Sequence, residues 1–201
     1  MTARGQYAKG VAKREEILTS ALAVIARNGY RRTSVRELAD EVGLSQAGLL
    51  HYFSSKEELF QEILRKRDEV DRDAFDLEGT APIDGLINVV RHNTEVPGLV
   101  QLYAQVSTEA GDPEHPAHEF FVERYRIFRE SYSAAIRAEQ DAGRIGSDID
   151  PDLVASIVLA VTDGLQTQWM LDPSIDMAAT IEHLWRLVAA AAPTTPAAPA
   201  D

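Results

Sequence analysis

The 201-residue sequence predicts an all-α protein of about nine helices. Apolar residues recur at three- and four-residue spacing along nearly the whole chain, strict alternation is almost absent, and the breaks fall at Gly, Pro and Ser/Asp capping signals. The first helix spans about 14–28, with Ile17, Ala21, Val24 and Ile25 on one face and Gly29 just past its end. A second starts at Ser34, where Ser34 and Glu37 have the S-x-x-E spacing of a capping box, and ends at Gly43. A short third runs from Ser45 to near Phe53. The fourth is capped by Ser55 and Glu58 and turns Leu59, Phe60, Ile63 and Leu64 inward. The acidic segment 71–84, with Gly79 and Pro82, joins this head to a second helical body. Further helices are expected near 83–95, 97–110, 116–142, 151–171 and 176–191. Their breaks are Pro97-Gly98, the stretch 111–116, the stretch 143–146 and Asp172-Pro173, and Asp150 caps ahead of Pro151.

Composition narrows the function classes. With 45% hydrophobic and 26% charged residues the chain has globular composition, and with no cysteine it has no thiolate chemistry and no disulfide framework. The longest apolar stretches, 153–161 and 187–192, fall well short of the roughly 18 residues of a membrane-spanning helix. The N-terminus carries charge but no apolar core of signal-peptide kind. A cytoplasmic protein with no membrane partner is expected. The net charge of −12 is unevenly spread: residues 1–56 carry +4 and the remainder −16. A basic head on an acidic body suits a small module that meets a polyanion, although a solvated basic face has the same signature.

Residues 34–53, SVRELADEVGLSQAGLLHYF, read as a helix-turn-helix. Ala39 is small where two steeply crossing helices come closest, and Gly43, four residues on, can take the left-handed conformation of the turn. Leu38, Val42, Leu44, Leu49 and Phe53 supply the buried side. Gln46, Ala47, Gly48, Leu50, His51 and Tyr52 are left as candidates for the outer face of the second helix, which Ser45 begins. The stretch 44–53 has no formal charge. Amide, small and aromatic side chains suit base edges and sugars in a major groove, with charge supplied from the flanks. The alternative is a purely structural helical hairpin.

The order and spacing of Arg31-Arg32-Thr33, Val35-Arg36-Glu37-Leu38-Ala39, Val42-Gly43-Leu44-Ser45 and Phe53-x-Ser55-Lys56-Glu57-Glu58-Leu59 resemble the TetR (tetracycline-repressor-like) family of transcriptional regulators over 17–59. Position 50, where most members carry tyrosine, holds Leu50, and the aromatic hydroxyl sits at Tyr52. The resemblance implies an N-terminal helix-turn-helix that binds DNA and a C-terminal helical domain that dimerises and binds a small ligand. It also implies that Thr33 and Lys56 touch phosphates, that Gln46 and Ala47 face bases and that Tyr52 meets the backbone. The residues themselves support Lys56, at a helix start where the dipole helps, and Gln46, whose amide can read adenine in bidentate fashion. Arg31, Arg32 and Arg36 can add phosphate contacts or be merely solvated, and Lys9, Lys13 and Arg14 can form a basic arm. The DNA-binding set is therefore Arg31, Arg32, Thr33, Arg36, Ser45, Gln46, Ala47, Gly48, His51, Tyr52 and Lys56. The expected organisation is a flexible basic arm over 1–13, the DNA-binding domain with its connecting helix over 14–70, the ligand-binding and dimerisation domain over 71–192, and a disordered Pro/Ala-rich tail over 193–201.

Asp163-Gly164-Leu165-Gln166-x-Gln168-Trp169 with Asp172-Pro173 resembles the penultimate helix of one branch of that family, in which the last two helices form a four-helix dimer interface. Val154, Ile157, Val158, Val161 and Leu165, and on the last helix Ile181, Leu184, Leu187 and Val188, give wide apolar faces for a partner subunit or for the protomer's own core. Candidate effector-pocket residues are polar or aromatic groups on apolar faces: Asn88, His92, Tyr103, Phe121, Tyr125, Phe128 and Trp169, for each of which ordinary core is the alternative. The negative body favours a neutral or cationic effector. No HExxH, di-iron, P-loop or GxSxG pattern is present, and His115 and His118 lack matching ligands, so no enzyme, catalytic residue, metal or cofactor is expected. The expected partners are a double-stranded DNA operator, a small-molecule effector and a second copy of the chain. The rival reading is a helical protein-interaction module that no longer binds DNA, which Arg31, Arg32, Thr33 and Lys56 oppose.

Overall fold

The computed structural model describes residues 3–75, 77 and 82–190. Among these residues the fold is all-α, with nine α-helices and no strand. The helices are α1 (Ala3–Asn28), α2 (Val35–Glu41), α3 (Gln46–Leu50), α4 (Lys56–Phe75), α5 (Pro82–Asn93), α6 (Pro97–Glu109), α7 (His118–Asp141), α8 (Pro151–Leu171) and α9 (Met177–Ala190), with a 3₁₀ turn at Tyr30–Arg32.

The predicted caps act, but with a shift of partner. Ser34 Oγ accepts from the Glu37 amide at 3.1 Å and Ser55 Oγ from the Glu58 amide at 2.9 Å. Neither carboxylate closes the reciprocal half of its box. Glu37 instead accepts from Asn28 Nδ2 at 2.9 Å, tying α2 to the end of α1. Glu58 reaches back one residue further, to the amide of Ser54 at 2.6 Å. Asp150 caps α8 by accepting from the amides of Asp152 and Leu153, as its place before Pro151 predicts.

Two expectations are corrected. The flexible arm expected over 1–13 is helical from Ala3: this stretch has no proline to stop a helix, and α1 starts eleven residues ahead of the predicted start. The third helix stops at Leu50 rather than near Phe53. Phe53 must turn into the core, where it is 1% exposed, and Arg14 Nη1 donates to the Tyr52 carbonyl at 2.8 Å, satisfying an acceptor the helix would otherwise have used. The expected tail, 193–201, and part of the 71–84 joining segment lie outside the described residues.

The chain forms two compact units that do not follow its order. One comprises Met1–Ala74 and His92–Val122, the other Phe75–Arg91 and Glu123–Asp201. Residues 92–122, assigned by sequence to the body, thus group with the head, because α6 packs on α1 and on the 3₁₀ turn. Pro97-Gly98, read as a helix break, is the point of contact. A Cβ on Gly98 would lie 2.1 Å from the Ile25 carbonyl oxygen and 2.7 Å from the Gly29 Cα, so only glycine lets the start of α6 approach the end of α1 this closely. The first unit's core is built from Ile17, Ala21, Val24 and Ile25 of α1, Leu38 and Ala39 of α2, Leu49, Phe53, and Leu59, Phe60, Ile63 and Leu64 of α4, all buried. In the second unit Tyr125 Oη donates to Asp163 at 2.5 Å and Arg137 to Asp152 at 2.8 Å, joining α7 to α8, and α8 packs on α9.

Candidate nucleic-acid interface

The outer face of α3 is built by what its inner face must bury. Leu49 is fully buried, and Ala39 at 0% exposure lets α2 and α3 meet closely. Gly43 turns the chain between them at a φ of 68°, in the left-handed region. Ser45 caps α3 by accepting from the Gly48 amide at 3.0 Å. This geometry leaves Gln46, Ala47 and His51 exposed and Gly48, Leu50 and Tyr52 half-buried. The Tyr52 ring sits edge-on to His51, with centroids 6.1 Å apart.

The cations lie on the elements before and after α3 in the chain. Arg31 and Arg32 in the 3₁₀ turn and Lys56 at the first position of α4 are exposed and make no ion pair among the described residues. Arg36 on α2 is also exposed, and its ion pair with Asp40 is stretched to 4.0 Å. These side chains leave their charge exposed, Lys56 at a helix start where the dipole adds positive potential.

Three basic-head expectations change. Thr33, expected at a phosphate, is only 7% exposed, and its hydroxyl donates to the Gly29 carbonyl at 2.8 Å, so it shapes the turn. Lys13 bonds Glu16 at 2.7 Å and the Val42 carbonyl at 3.1 Å. Arg14 pairs with Glu58 and Glu62 at 3.2 and 3.1 Å and lies 4.5 Å from the Phe53 ring centroid. Both therefore fasten α1 to the helix-turn-helix instead of forming an arm, and of Lys9, Lys13 and Arg14 only Lys9 is exposed. The Ser54 hydroxyl, aided by Arg14, holds the Glu58 carboxyl below the usual carboxylate range, so the link is charged at neutral pH.

The seven effector candidates divide between the two units. Tyr103 and Phe121 are buried in the first unit with ring centroids 5.7 Å apart, and His92, half-buried in the same unit, lies 3.1 Å from Glu95. Asn88, Tyr125, Phe128 and Trp169 belong to the second unit. There Asn88 is an exposed acceptor for Arg91, Phe128 stacks on Tyr132, and Trp169 is buried. Sequence reasoning missed Gln166, a buried polar residue one turn before Trp169, because a glutamine among polar neighbours on α8 gives no sign of facing inward.

The dimer candidates divide as well. Val154, Val158, Leu165 and Ile181 are buried in the protomer's own core; Val161, Leu184 and Val188 are half-buried; Ile157 and Leu187 are exposed at 49% and 58%. Leu153 at 63% and Leu171 at 83% extend the exposed apolar row of α8 and were not anticipated. Among the described residues no group of His, Asp or Glu is placed to hold a metal, and no helix is long and apolar enough to cross a membrane.

Comparison with known proteins agrees with this geometry. Residues 17–63 match the family model of bacterial regulatory proteins of the tetR family, and residues 112–193 match that of the BetI-type transcriptional repressor C-terminal domain. The transcriptional repressor KstR2 of Rhodococcus jostii is 30% identical over 153 residues, 70% of this chain and 72% of that protein. The repressor AcnR of Corynebacterium diphtheriae is 26% identical over 156 residues, 76% of this chain and 78% of that protein. Among solved structures, SmeT, the repressor of a Stenotrophomonas maltophilia multidrug efflux pump, superposes with a TM-score of 0.66 at 19% identity, covering 94% of this chain and 97% of that one. A putative transcriptional regulator from Saccharomonospora viridis in complex with choline superposes at 0.67 with 26% identity, covering 87% and 94%. The chain belongs to the TetR family of DNA-binding transcriptional regulators.

Proposed function

We propose that the protein is a ligand-responsive repressor that binds a near-palindromic operator as a homodimer in the cytoplasm and releases it when a small molecule occupies its helical body. The observation that carries this reading is the uncharged, exposed face of α3, presenting Gln46, Ala47 and His51, in a head that supplies Arg31, Arg32, Arg36 and Lys56. A solvent-facing helix would ordinarily carry charge; one that reads bases has reason not to. Leu153, Ile157 and Leu171 on α8 and Leu187 on α9 are exposed apolar groups that a second copy would cover, and two heads about one DNA turn, roughly 34 Å, apart would read a palindrome. DNA and effector then oppose each other through a single coupling free energy, each favouring a different conformer. The acidic body and the choline held by the Saccharomonospora viridis relative support a neutral or cationic effector.

Two variants test the interface. Gln46→Ala is expected to weaken the specific site by about 1–3 kcal/mol and to relax preference at one base position, leaving random DNA unaffected. Lys56→Ala is expected to weaken specific and random duplexes alike and to lower the slope of log affinity against log salt by about one. Fluorescence anisotropy across a salt series reads both. Equal losses on specific and random DNA for Gln46→Ala would remove its base-reading role.

A further inference from the structure

Polar side chains are scarce inside the second unit, and one of them is unsatisfied. Gln166 is 5% exposed, and its Oε1 has no hydrogen-bond partner among the described residues. On α8 it lies one turn after Thr162 and one turn before Trp169, both also buried, so the three share a helix face. Thr162 donates its hydroxyl to the Val158 carbonyl at 2.8 Å, which leaves the oxygen able to accept. Asp163, three residues before Gln166, holds the Tyr125 hydroxyl from α7 at 2.5 Å. A buried amide oxygen without a donor is costly to keep, and native interiors retain few of them. Leucine or methionine at position 166 would fill the space without that cost.

We propose that Gln166 Oε1 is a hydrogen-bond acceptor for the effector. Its subsite on α8 also includes Thr162, Asp163 and Trp169, with Tyr125 from α7, and it takes a small organic molecule bearing a hydroxyl or ammonium donor. The inference rests on the ligand-responsive reading above and adds to it the contact residue and the ligand's chemical class. The class follows from the set: the oxygens accept, and indole and phenol faces attract cations. No Lys or Arg among the described residues of this unit is buried, so an anion would enter without a countercharge.

The test uses the full chain, its Gln166→Met variant, and Gln166→Leu as a second apolar replacement in case one packs poorly. Choline is the probe, ethanolamine a second donor-bearing cation, and tetramethylammonium the cation without a donor. Unliganded Gln166→Met or Gln166→Leu is expected to melt about 2–4 °C above the native protein, because an unmet acceptor is gone. Choline or ethanolamine is expected to raise the native melting temperature in a concentration-dependent way. Tetramethylammonium on the native protein, and either donor-bearing probe on the apolar variants, should need about tenfold more ligand for the same shift. Lower melting of both variants, an unchanged probe response in them, or no response of the native protein to choline and ethanolamine would overturn the proposal. Operator binding is measured in parallel: native protein that binds probe but no DNA would contradict the repressor reading and leave the Gln166 subsite standing.

Discussion

Replacing Arg67 with alanine is expected to lower the unfolding free energy by about 3–5 kcal/mol. Arg67, on α4, is 6% exposed; its Nε lies 3.4 Å from Asp71, itself 7% exposed, and its Nη2 donates to Asn93 Oδ1 at 2.6 Å. The guanidinium carbon sits 5.9 Å from the centroid of the buried Tyr103 ring on α6. One planar cation thus ties α4 to the end of α5 and to α6, and truncating it removes the charge that a buried carboxylate and a buried amide oxygen were arranged around. The cost is that of taking a cation from beside a buried carboxylate, not the net worth of the pair. Replacing both charges with apolar groups, Arg67→Met with Asp71→Leu, should recover part of the loss, the remainder being the donor that Asn93 Oδ1 still lacks. Urea unfolding followed by circular dichroism measures both, and a loss below about 1 kcal/mol for Arg67→Ala would place the group in an environment wetter than the one described.

Gly98→Ala is expected to destabilise by about 3 kcal/mol, the opposite sign to the usual gain from replacing a helical glycine. The added carbon would meet the Ile25 carbonyl oxygen at 2.1 Å and the Gly29 Cα at 2.7 Å, and both are backbone atoms that no rotamer change can move aside. Relief requires the first turn of α6 to back away from the end of α1. That end is wired to the helix-turn-helix through Asn28–Glu37 and Thr33–Gly29, so operator affinity should fall along with stability. Thermal unfolding reads the first effect, with a fall of roughly 6–12 °C, and anisotropy the second. A variant as stable as the native protein would mean that α6 and α1 do not approach as described.

Much of this was legible in the sequence, for local reasons. The starts of α2, α4 and α8 are written in Ser34, Ser55 and Asp150, whose side chains need only a neighbouring amide. The core faces of α1 and α4 follow from helical spacing. What escaped depends on partners distant in the chain. Glu37 and Glu58 have capping-box spacing, but Asn28 and Ser54 compete for their carboxylates. Arg14 looks like part of a basic arm until Tyr52, Glu58 and Glu62 are brought to it. Thr33 matches a phosphate-contacting position of the family, yet here its hydroxyl is turned onto Gly29. Pro97-Gly98 reads as punctuation, and nothing nearby says that its glycine is there for a close approach to α1. On α8, apolar spacing marks Val154 and Leu153 alike, and only packing against α9 and the other helices decides which is core.

In the proposed function the exposed face of α3 reads a sequence and two copies read it together. Selection of duplexes from a randomised pool at about 150 mM salt, where non-specific attraction is suppressed, tests it most directly. Enrichment of an inverted repeat whose half-sites lie about one helical turn apart is expected. Recovery of no enriched sequence, or of a single unrepeated half-site, would contradict it.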